Sequence, residues 1–333
     1  MAVPVPRGVD HFSLLMRLVD GRPHSGGSLA RELGVSREAL GNGIDRLRAQ
    51  GVDIQTLAQR SYGLAAPVEL LDARRIRDAL RDDRGAALRG LEVMFEVDST
   101  NTRLLALTPP PQGRADVCMS ELQHAGRGRR GRRWIAPFGA GIAMSLGWSF
   151  PDASHAKPAL SLAAGVAIAR ALQRTGAHGI RLKWPNDVWF NARKVGGVLL
   201  ELRVQGGLAH VVIGVGLNVS LTAAARREIE ATGVRAAAAA DACPQPVSRN
   251  VLAGALLDEL LSMLGRFERE GFAPFRDAWI GLDALRDRRA RVIAGESAIS
   301  GTARGVDEDG ALLLESGGRI QRFVSGEVSL RLT

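Results

Sequence analysis

The chain has 333 residues, of which 46% are hydrophobic and 24% charged, so it is long enough for two or three packed domains and is not a disordered protein. Its formal net charge of +9 favours phosphorylated or polyanionic partners, and it permits nucleic acid without requiring it. Only two cysteines occur, far apart, so neither a disulfide framework nor a zinc site is indicated, which fits a reducing compartment.

Neither a targeting segment nor a membrane span is expected. The first ten residues, MAVPVPRGVD, lack the basic and then apolar pattern of a signal peptide. The longest apolar segment, residues 159–172, is shorter than a membrane-spanning helix and is better explained as a buried core helix. We therefore expect a cytoplasmic protein with no membrane partner.

Residues 1–66 predict a winged helix-turn-helix domain. Apolar spacing favours three short helices, and a tight turn at Gly34 separates the second from the third. Two short strands follow and would form the wing. The predicted helices span residues 12–19, 28–33 and 37–50, and the predicted strands span residues 52–57 and 61–64.

The third predicted helix carries the candidates for DNA contacts. Gly41 and Gly43 lie where a recognition helix would face bases, and each weakens a helix by about 1 kcal/mol relative to alanine. A helical docking domain without DNA function is therefore the alternative. The basic and polar side chains that could reach phosphates or base edges are Arg37, Asn42, Arg46 and Arg48.

Residues 67–284 predict a central domain of strands and helices. A predicted strand at residues 91–97 ends in the polar cluster at residues 98–101, which precedes a predicted helix. These side chains could cap the helix or hydrogen-bond a small polar ligand, and helix capping is the simpler interpretation of the residue types alone.

A glycine- and arginine-rich loop follows the next predicted strand. From Gly126 to Trp134 the chain reads GRGRRGRRW, which disfavours a helix or a central strand because glycine costs backbone entropy and adjacent arginines repel one another. The loop is typical of a flexible cationic segment that binds phosphate. A solvated basic loop or a nonspecific nucleic-acid tail is the alternative, although apolar segments on both sides argue against a tail.

Two lysines bracket a polar turn further along the central domain. Lys183 lies near the end of a strand that a proline stops, and Lys194 begins the strand after the turn. Each could pair with a carboxylate or phosphate, and each alone could equally be a solvated surface lysine. Asn186 and Asp187 lie in the turn, and Asn218 ends a later strand at the same expected face of the domain.

The motif search excludes several reaction classes. No P-loop, dinucleotide-binding glycine pattern, serine nucleophile elbow or histidine-rich metal cluster occurs. What remains is a set of cations on a loop and two strands, together with Trp134, whose ring could stack on an adenine. That set lacks a covalent nucleophile and suits electrostatic stabilisation and positioning in phosphoryl or nucleotidyl transfer.

Residues 285–333 predict a small β-barrel of SH3-like size. Short strand-like segments alternate with glycine turns from residue 291 to residue 330. No catalytic constellation is visible in them, so we expect this domain to support the site or to dock a protein partner.

These motifs, in this order, resemble the bifunctional biotin protein ligase and biotin operon repressor family of bacteria. The resemblance rests on GRGRRGRRW followed by PFG, on KWPNDV followed by RKVGGVLLEL, and on IGVGLNV, all after a winged helix. It implies an α+β fold: an N-terminal winged helix-turn-helix, a central mixed β-sheet with helices of the class II synthetase-like type, and a C-terminal SH3-like β-barrel.

The resemblance also implies a reaction in two steps. Biotin and ATP, with Mg²⁺, would form biotinyl-5'-AMP and pyrophosphate, and a lysine of a biotin carboxyl carrier protein would then take the biotin and release AMP. Biotin operator DNA and a second copy of the chain, in a ligand-promoted homodimer, are the other implied partners.

The family's roles transfer to matching positions of this sequence. Lys194 would hold the biotin carboxylate, Asp187 would orient Mg²⁺ or the incoming amine, and the implied catalytic set is Lys194, Arg129, Lys183 and Asp187. The implied biotin-binding residues are Ser99, Thr100, Asn101, Gln123, Arg127, Gly128, Arg129 and Lys194. The implied ATP- and adenylate-binding residues are Arg129, Arg132, Trp134, Lys183, Asn186 and Asn218.

Two other function classes stay open. The first is a non-enzymatic regulator that senses a small ligand in the central domain and binds DNA. The second is a lipoate-type ligase, because an apolar acyl pocket for one ligand is hard to tell from the other by sequence.

Overall fold

The computed structural model describes residues 9–81, 84–151, 158–294, 297–324 and 328–332. The chain divides into two compact units. The first unit comprises residues 1–71 with 137–139, and the second comprises residues 72–136 with 140–333. The sequence-based boundaries after residues 66 and 284 stay predictions.

The first unit is a helix-turn-helix domain with a small antiparallel sheet, as predicted. Asp10 and Ser36 cap α1 and α3 by accepting hydrogen bonds from backbone N–H groups three residues on, which fixes where these helices begin. Strand β1 has only two residues and was not predicted, because periodicity cannot be seen at that length. The elements are α1 (His11–Leu18), β1 (His24–Ser25), α2 (Gly26–Glu32), α3 (Arg37–Ala49), β2 (Ile54–Leu57) and β3 (Ser61–Leu64), with sheet order β1-β3-β2.

The interpretation that both glycines of α3 face DNA bases is wrong for Gly43. Gly43 is buried, and a Cβ built on it would lie 1.9 Å from Cγ1 of Val9. A Cβ on Gly41 would meet nothing within 4 Å. Gly43 therefore serves packing inside the domain, where only a hydrogen fits.

The second unit is built on a seven-stranded mixed sheet in the order β4-β5-β6-β10-β9-β8-β7. Strands β4 and β5 pair in parallel, and every other neighbouring pair is antiparallel. The predicted mixed sheet is confirmed. Its strands are β4 (Leu88–Val97), β5 (Ala115–Gln123), β6 (Gly141–Phe150), β7 (Ile180–Lys183), β8 (Asp187–Phe190), β9 (Arg193–Gln205) and β10 (Leu208–Asn218).

Helices cover both faces of this sheet. On one face Ser145 of β6 hydrogen-bonds the first residues of α5, and on the other Phe150 of β6 meets Phe267 of α8 with ring centroids 6.4 Å apart. Residues 145 and 150 lie on opposite faces because side chains alternate along a strand. The helices are α4 (Ala73–Asp78), α5 (Thr100–Leu105), α6 (Pro158–Arg174), α7 (Ala223–Glu230), α8 (Arg249–Glu270) and α9 (Ala273–Leu282).

A buried carboxylate joins three of these helical segments. Asp258 of α8 accepts hydrogen bonds from Arg81, just after α4, and from Arg174 at the end of α6. Its side chain is fully buried, and the two guanidinium groups outweigh that burial and hold its pKa below the ordinary value. The layer on this face is therefore fixed by charge as well as by apolar packing.

The C-terminal residues form a separate five-stranded antiparallel sheet in the order β14-β13-β12-β11-β15. The turn before β13 touches the central sheet, because Nε1 of Trp184 donates to the carbonyl of Gly310 at 3.1 Å. The antiparallel strands were predicted, and closure of the sheet into a barrel stays a prediction. The strands are β11 (Arg289–Ala294), β12 (Ser297–Val306), β13 (Leu312–Ser316), β14 (Arg319–Phe323) and β15 (Val328–Leu332).

None of the helices in the described residues combines the length and the apolar composition needed to cross a membrane.

Candidate active site

A cavity of about 230 Å³ lies in the second unit, on the face of the sheet that carries α5. Its floor comes from β9 and β10, and the arginine loop covers it. Of the fourteen residues that sequence predicts for ligand binding and catalysis, twelve line the cavity. They are Ser99, Thr100, Asn101, Gln123, Arg127, Gly128, Arg129, Arg132, Trp134, Asn186, Lys194 and Asn218.

One end of the cavity is a buried polar network at the start of α5. Ser99 precedes α5 but its side chain makes no capping hydrogen bond, so the plain helix-cap interpretation is wrong for that side chain. The backbone N–H of Thr100 donates to Oε1 of Gln123 at 3.0 Å. Ser145 Oγ lies 2.7 Å from Oγ1 of Thr100 and 2.5 Å from Oδ1 of Asn101. These groups can recognise a compact polar ring.

Ser145 is a residue of this network that sequence reasoning missed. It is fully buried in β6, within the apolar run GIAMSLGW. A hydroxyl in such a run needs an internal partner, because an unpaired polar group costs about 1–3 kcal/mol when buried. This requirement could have indicated from sequence that Ser145 has a buried hydrogen-bond partner, but it does not identify the partner.

Two glycines of β10 leave room on the floor of the cavity for Asn101 and Trp134. A Cβ on Gly214 would lie 2.3 Å from Oδ1 of Asn101, and one on Gly216 would lie 2.5 Å from Cε2 of Trp134. Both are closer than real Cβ contacts. The IGVGLN motif therefore lets α5 and the tryptophan rest directly on the strand.

The arginine loop is a compact turn that returns towards its own start. Backbone bonds join Gly128 N–H to the carbonyl of Arg132 at 2.7 Å, and Trp134 N–H to the carbonyl of Gly126 at 2.9 Å. The chain reverses at Arg130 and Gly131, which have φ values of 60° and 68°. A positive φ suits glycine and strains arginine, so the geometry of the tip depends on its surroundings.

Four arginines of this loop line the cavity: Arg127, Arg129, Arg132 and Arg133. Nη1 of Arg129 lies 3.4 Å from Oδ1 of Asn186. Burial lowers the pKa of the Arg129 guanidinium from its ordinary value, and the nearby charges of Arg130 and Arg132 lower it further, while Asp187 opposes them. An anion in the cavity would relieve that repulsion.

Lys194 projects into the same cavity beside a carboxylate. Its ammonium lies 2.6 Å from Oδ1 of Asp187 and 5.7 Å from the ring centroid of Trp134. Asp187 itself does not line the cavity. Lys194 can therefore bind an incoming carboxylate or phosphate while Asp187 holds it in place from the side.

Lys183 is the other predicted residue that does not line the cavity. Its ammonium lies 4.6 Å from the ring centroid of Trp189. The predicted role of Lys183 towards phosphate would require that side chain to leave the tryptophan ring.

The segment from residue 229 to residue 237 forms a wall that sequence reasoning missed. Ile229, Thr232 and Val234 line the cavity, although this alanine-rich stretch shows no chemistry in sequence. The carbonyl of Arg235 accepts from the backbone N–H of Lys194 at 2.8 Å, and the carbonyl of Ala237 accepts from Asn218 Nδ2 at 3.0 Å. The wall thus holds both residues in place.

Among the described residues, no cluster of three or more histidine, cysteine or acidic side chains could hold a metal by itself. Asp187 is a carboxylate beside the cavity, and it is paired with Lys194. Magnesium is usually held by one or two carboxylates together with substrate phosphates. The donor set fits an ion that arrives with a nucleotide.

The four candidate DNA-binding residues divide into two groups in the first unit. Arg37, Asn42 and Arg46 are exposed on α3. Arg48 instead reaches the wing, donating from Nε to the carbonyl of Ile54 at 2.9 Å and from Nη2 to Oγ1 of Thr56 at 2.7 Å. Its guanidinium joins α3 to β2.

Three family matches follow the chain in the order of its parts. Residues 11–64 match an HTH domain, residues 94–218 match the Biotin/lipoate A/B protein ligase family, and residues 287–331 match the Biotin protein ligase C terminal domain. Together with the cavity they define the class of protein, a ligase with an N-terminal helix-turn-helix domain.

The similarity to individual proteins is more specific. The chain is 39% identical over 321 residues to "Bifunctional ligase/repressor BirA" of Salmonella typhimurium, covering 96% of this chain and 97% of the relative. It is 34% identical over 275 residues to "Biotin--[acetyl-CoA-carboxylase] ligase" of Mycobacterium tuberculosis, covering 78% and 95%. The chain therefore belongs to the biotin protein ligase family, as the sequence motifs predicted.

A solved structure agrees with this assignment. The biotin protein ligase from Aquifex aeolicus in complex with biotin and ATP superposes with a TM-score of 0.60 at 25% identity, covering 74% of this chain and 99% of that one.

We expect Gly214→Ala to lower the free energy of unfolding by about 1–3 kcal/mol, because its methyl group would overlap Asn101. Urea unfolding of the purified chain measures this. Gly281→Ala in α9 is the matched control, since a Cβ there meets nothing within 4 Å, and it should leave stability unchanged or raise it. Equal free energies of unfolding for the two variants would contradict the close contact between Gly214 and Asn101.

Proposed function

We propose that this chain is an ATP-dependent biotin protein ligase that also binds DNA as a repressor. It forms biotinyl-5'-AMP from biotin and ATP and transfers the biotin to a lysine of a biotin carboxyl carrier protein. One observation supports this most strongly: a cavity with a buried polar end is covered by a loop that presents several arginines to it.

In the first step a carboxylate oxygen of biotin attacks the α-phosphorus of ATP, and the bond to the bridging oxygen of pyrophosphate breaks. Both reactants are anionic, so their approach needs positive charge around the reacting atoms. Lys194 holds the carboxylate, and Arg129 and Arg132 offset the phosphate charge from above. The chain supplies no covalent nucleophile, and its contribution is positioning and electrostatic stabilisation.

In the second step the acceptor lysine attacks the carbonyl carbon of the mixed anhydride, and AMP leaves with the electron pair of the broken C–O bond. The attacking amine must be neutral and must lose a proton as the amide forms. Oδ1 of Asp187 lies 2.6 Å from the ammonium of Lys194. We assign it to orienting the incoming amine.

Asp187 would also be the protein ligand of a magnesium ion bound by the nucleotide phosphates. Such an ion would add positive charge to the phosphate oxygens.

Trp134 and two asparagines suit the adenine. The ring of Trp134 covers the cavity, and its Nε1 is buried without a hydrogen-bond partner among the described residues. Asn186 Nδ2 and Asn218 Nδ2 already donate to the carbonyls of Val198 and Ala237, at 2.7 and 3.0 Å. Each Nδ2 keeps a second N–H and each amide oxygen keeps a lone pair, and these are the groups that would bond the edge of the base.

The repressor activity rests on the exposed face of α3 in the first unit. Arg37, Asn42 and Arg46 present polar and basic groups suited to phosphate and base contacts. We also propose that binding of the adenylate favours a homodimer, as in a repressor that reads a two-fold operator.

Biotin-dependent exchange of labelled pyrophosphate into ATP tests the ligase directly. We expect exchange with biotin and none with lipoate, because the buried network at Thr100, Asn101 and Gln123 offers hydrogen-bond partners that only a polar ring can use. Exchange with lipoate alone would identify a lipoate-type ligase. A complete absence of exchange would identify a ligand sensor and overturn the proposal.

Two arginines of α3 differ in their contacts, and this difference allows a test of DNA binding. Arg46→Ala should weaken binding to a duplex with the biotin operator, because Arg46 is exposed. It should also reduce the slope of the logarithm of the binding constant against the logarithm of the salt concentration by about one. Arg48→Ala should chiefly lower the melting temperature of the protein, since its guanidinium is bonded to the wing. Unchanged binding by Arg46→Ala at every salt concentration would contradict this interface.

A further inference from the structure

A carboxylate outside the cavity lining is bonded to the polar network inside it. Glu201 lies on β9 and is absent from the cavity lining. Its Oε2 accepts a hydrogen bond from Asn101 Nδ2 at 2.7 Å and one from Arg127 Nη2 at 2.9 Å. The same guanidinium nitrogen of Arg127 also lies 2.9 Å from Oγ1 of Thr102. Glu201 thus connects the start of α5 with the first arginine of the loop.

The charge on Glu201 sets the direction of every hydrogen bond that follows. An ionised carboxylate only accepts, so Asn101 must turn its NH₂ group towards Glu201 and its Oδ1 towards Ser145. The Ser145 hydroxyl has one proton and must donate it to that Oδ1, at 2.5 Å. Its oxygen is then left to accept from the Thr100 hydroxyl, at 2.7 Å.

Without the charge, the same atoms permit the opposite order. A glutamine at position 201 could donate to Asn101 Oδ1, and the amide of Asn101 would then donate to Ser145. Ser145 would donate to Thr100, and Thr100 would donate to Oε1 of Gln123, which lies 3.3 Å away. Each hydroxyl and side-chain amide keeps a partner in both orders. The carbonyl of Leu199, 3.5 Å from Asn101 Nδ2, favours the first order only weakly, because that distance is at the limit of a hydrogen bond.

We infer that Glu201 is a positioning residue that fixes the hydrogen-bond polarity of the ligand pocket and anchors Arg127 over it. This inference rests on the proposed function. With Glu201 ionised, the remaining lone pair of Asn101 Oδ1 is an acceptor for an N–H group of a cyclic urea. In the reversed order that position presents a donor, and the N–H group of the ring loses its partner.

A change at Glu201 should affect the binding of biotin and not the binding of ATP. Asn101 and Ser145 lie at the polar end of the pocket, whereas Trp134, Asn186 and Asn218 are the residues assigned to the nucleotide. A change in polarity at Asn101 should therefore alter recognition of the urea ring and leave recognition of ATP nearly as it was. A purely structural role for Glu201 would affect both substrates together.

The test compares Glu201→Gln with the wild type in biotin-dependent pyrophosphate exchange, with the KM for biotin and the KM for ATP measured separately. We expect the KM for biotin to rise about tenfold or more, as for a buried N–H group that loses its acceptor, and the KM for ATP to change less than about twofold. Glu201→Asp keeps an acceptor-only carboxylate and should raise the KM for biotin less than Glu201→Gln does.

Glu92→Gln is the matched control. Glu92 pairs with Arg103 of α5 at 3.1 Å, so this change removes a carboxylate that holds an arginine of the same helix, away from the cavity. It should leave both KM values unchanged. A KM for biotin in Glu201→Gln equal to that of the control, or an equal rise in both KM values, would overturn the inference. Absence of exchange in the wild type would instead overturn the proposed function.

Discussion

The concentration of positive charge in the arginine loop is the constraint on which the site depends. Arg129 is half-buried beside Arg130 and Arg132, and both burial and like charge lower the pKa of its guanidinium. Asp187, which is bonded to Lys194, opposes this shift. A phosphate in the cavity would add negative charge beside these cations, which suits an enzyme that must retain a reactive mixed anhydride between two steps.

The rest of the second unit holds this loop in place beside the polar end of the pocket. Gly214 and Gly216 let Asn101 and Trp134 rest on β10 without a side chain between them. The wall at residues 235–237 bonds the backbone of Lys194. Behind the sheet, the buried pair Arg249 and Glu121, at 2.8 Å, joins the start of α8 to β5. The charged loop therefore lies over a closely packed floor.

Much of this was predictable from sequence because the chemistry depends on local motifs. The loop GRGRRGRRW has an unusual composition, and alternating apolar residues marked the strand that carries Lys194. The same reasoning placed Lys183 at the site, although its side chain lies against Trp189 instead. The residues that escaped prediction act through contacts between distant segments. Ser145 and Glu201 meet α5 only after the sheet has formed, and Ile229 belongs to an alanine-rich stretch without any local signal. Gly43 was misassigned because sequence does not tell which face of a helix meets the rest of its domain.

The most direct test of this account is the rate at which preformed biotinyl-5'-AMP leaves the enzyme, followed by filter binding in wild type, Arg129→Ala and Arg170→Ala. Arg170 is an exposed arginine of α6 and serves as a control of equal charge. If the loop closes on phosphate, release from Arg129→Ala should be about tenfold to a hundredfold faster than from the wild type, with Arg170→Ala unchanged and all three proteins equally folded. Release at the wild-type rate from Arg129→Ala would contradict the claim that the loop arginines retain the intermediate.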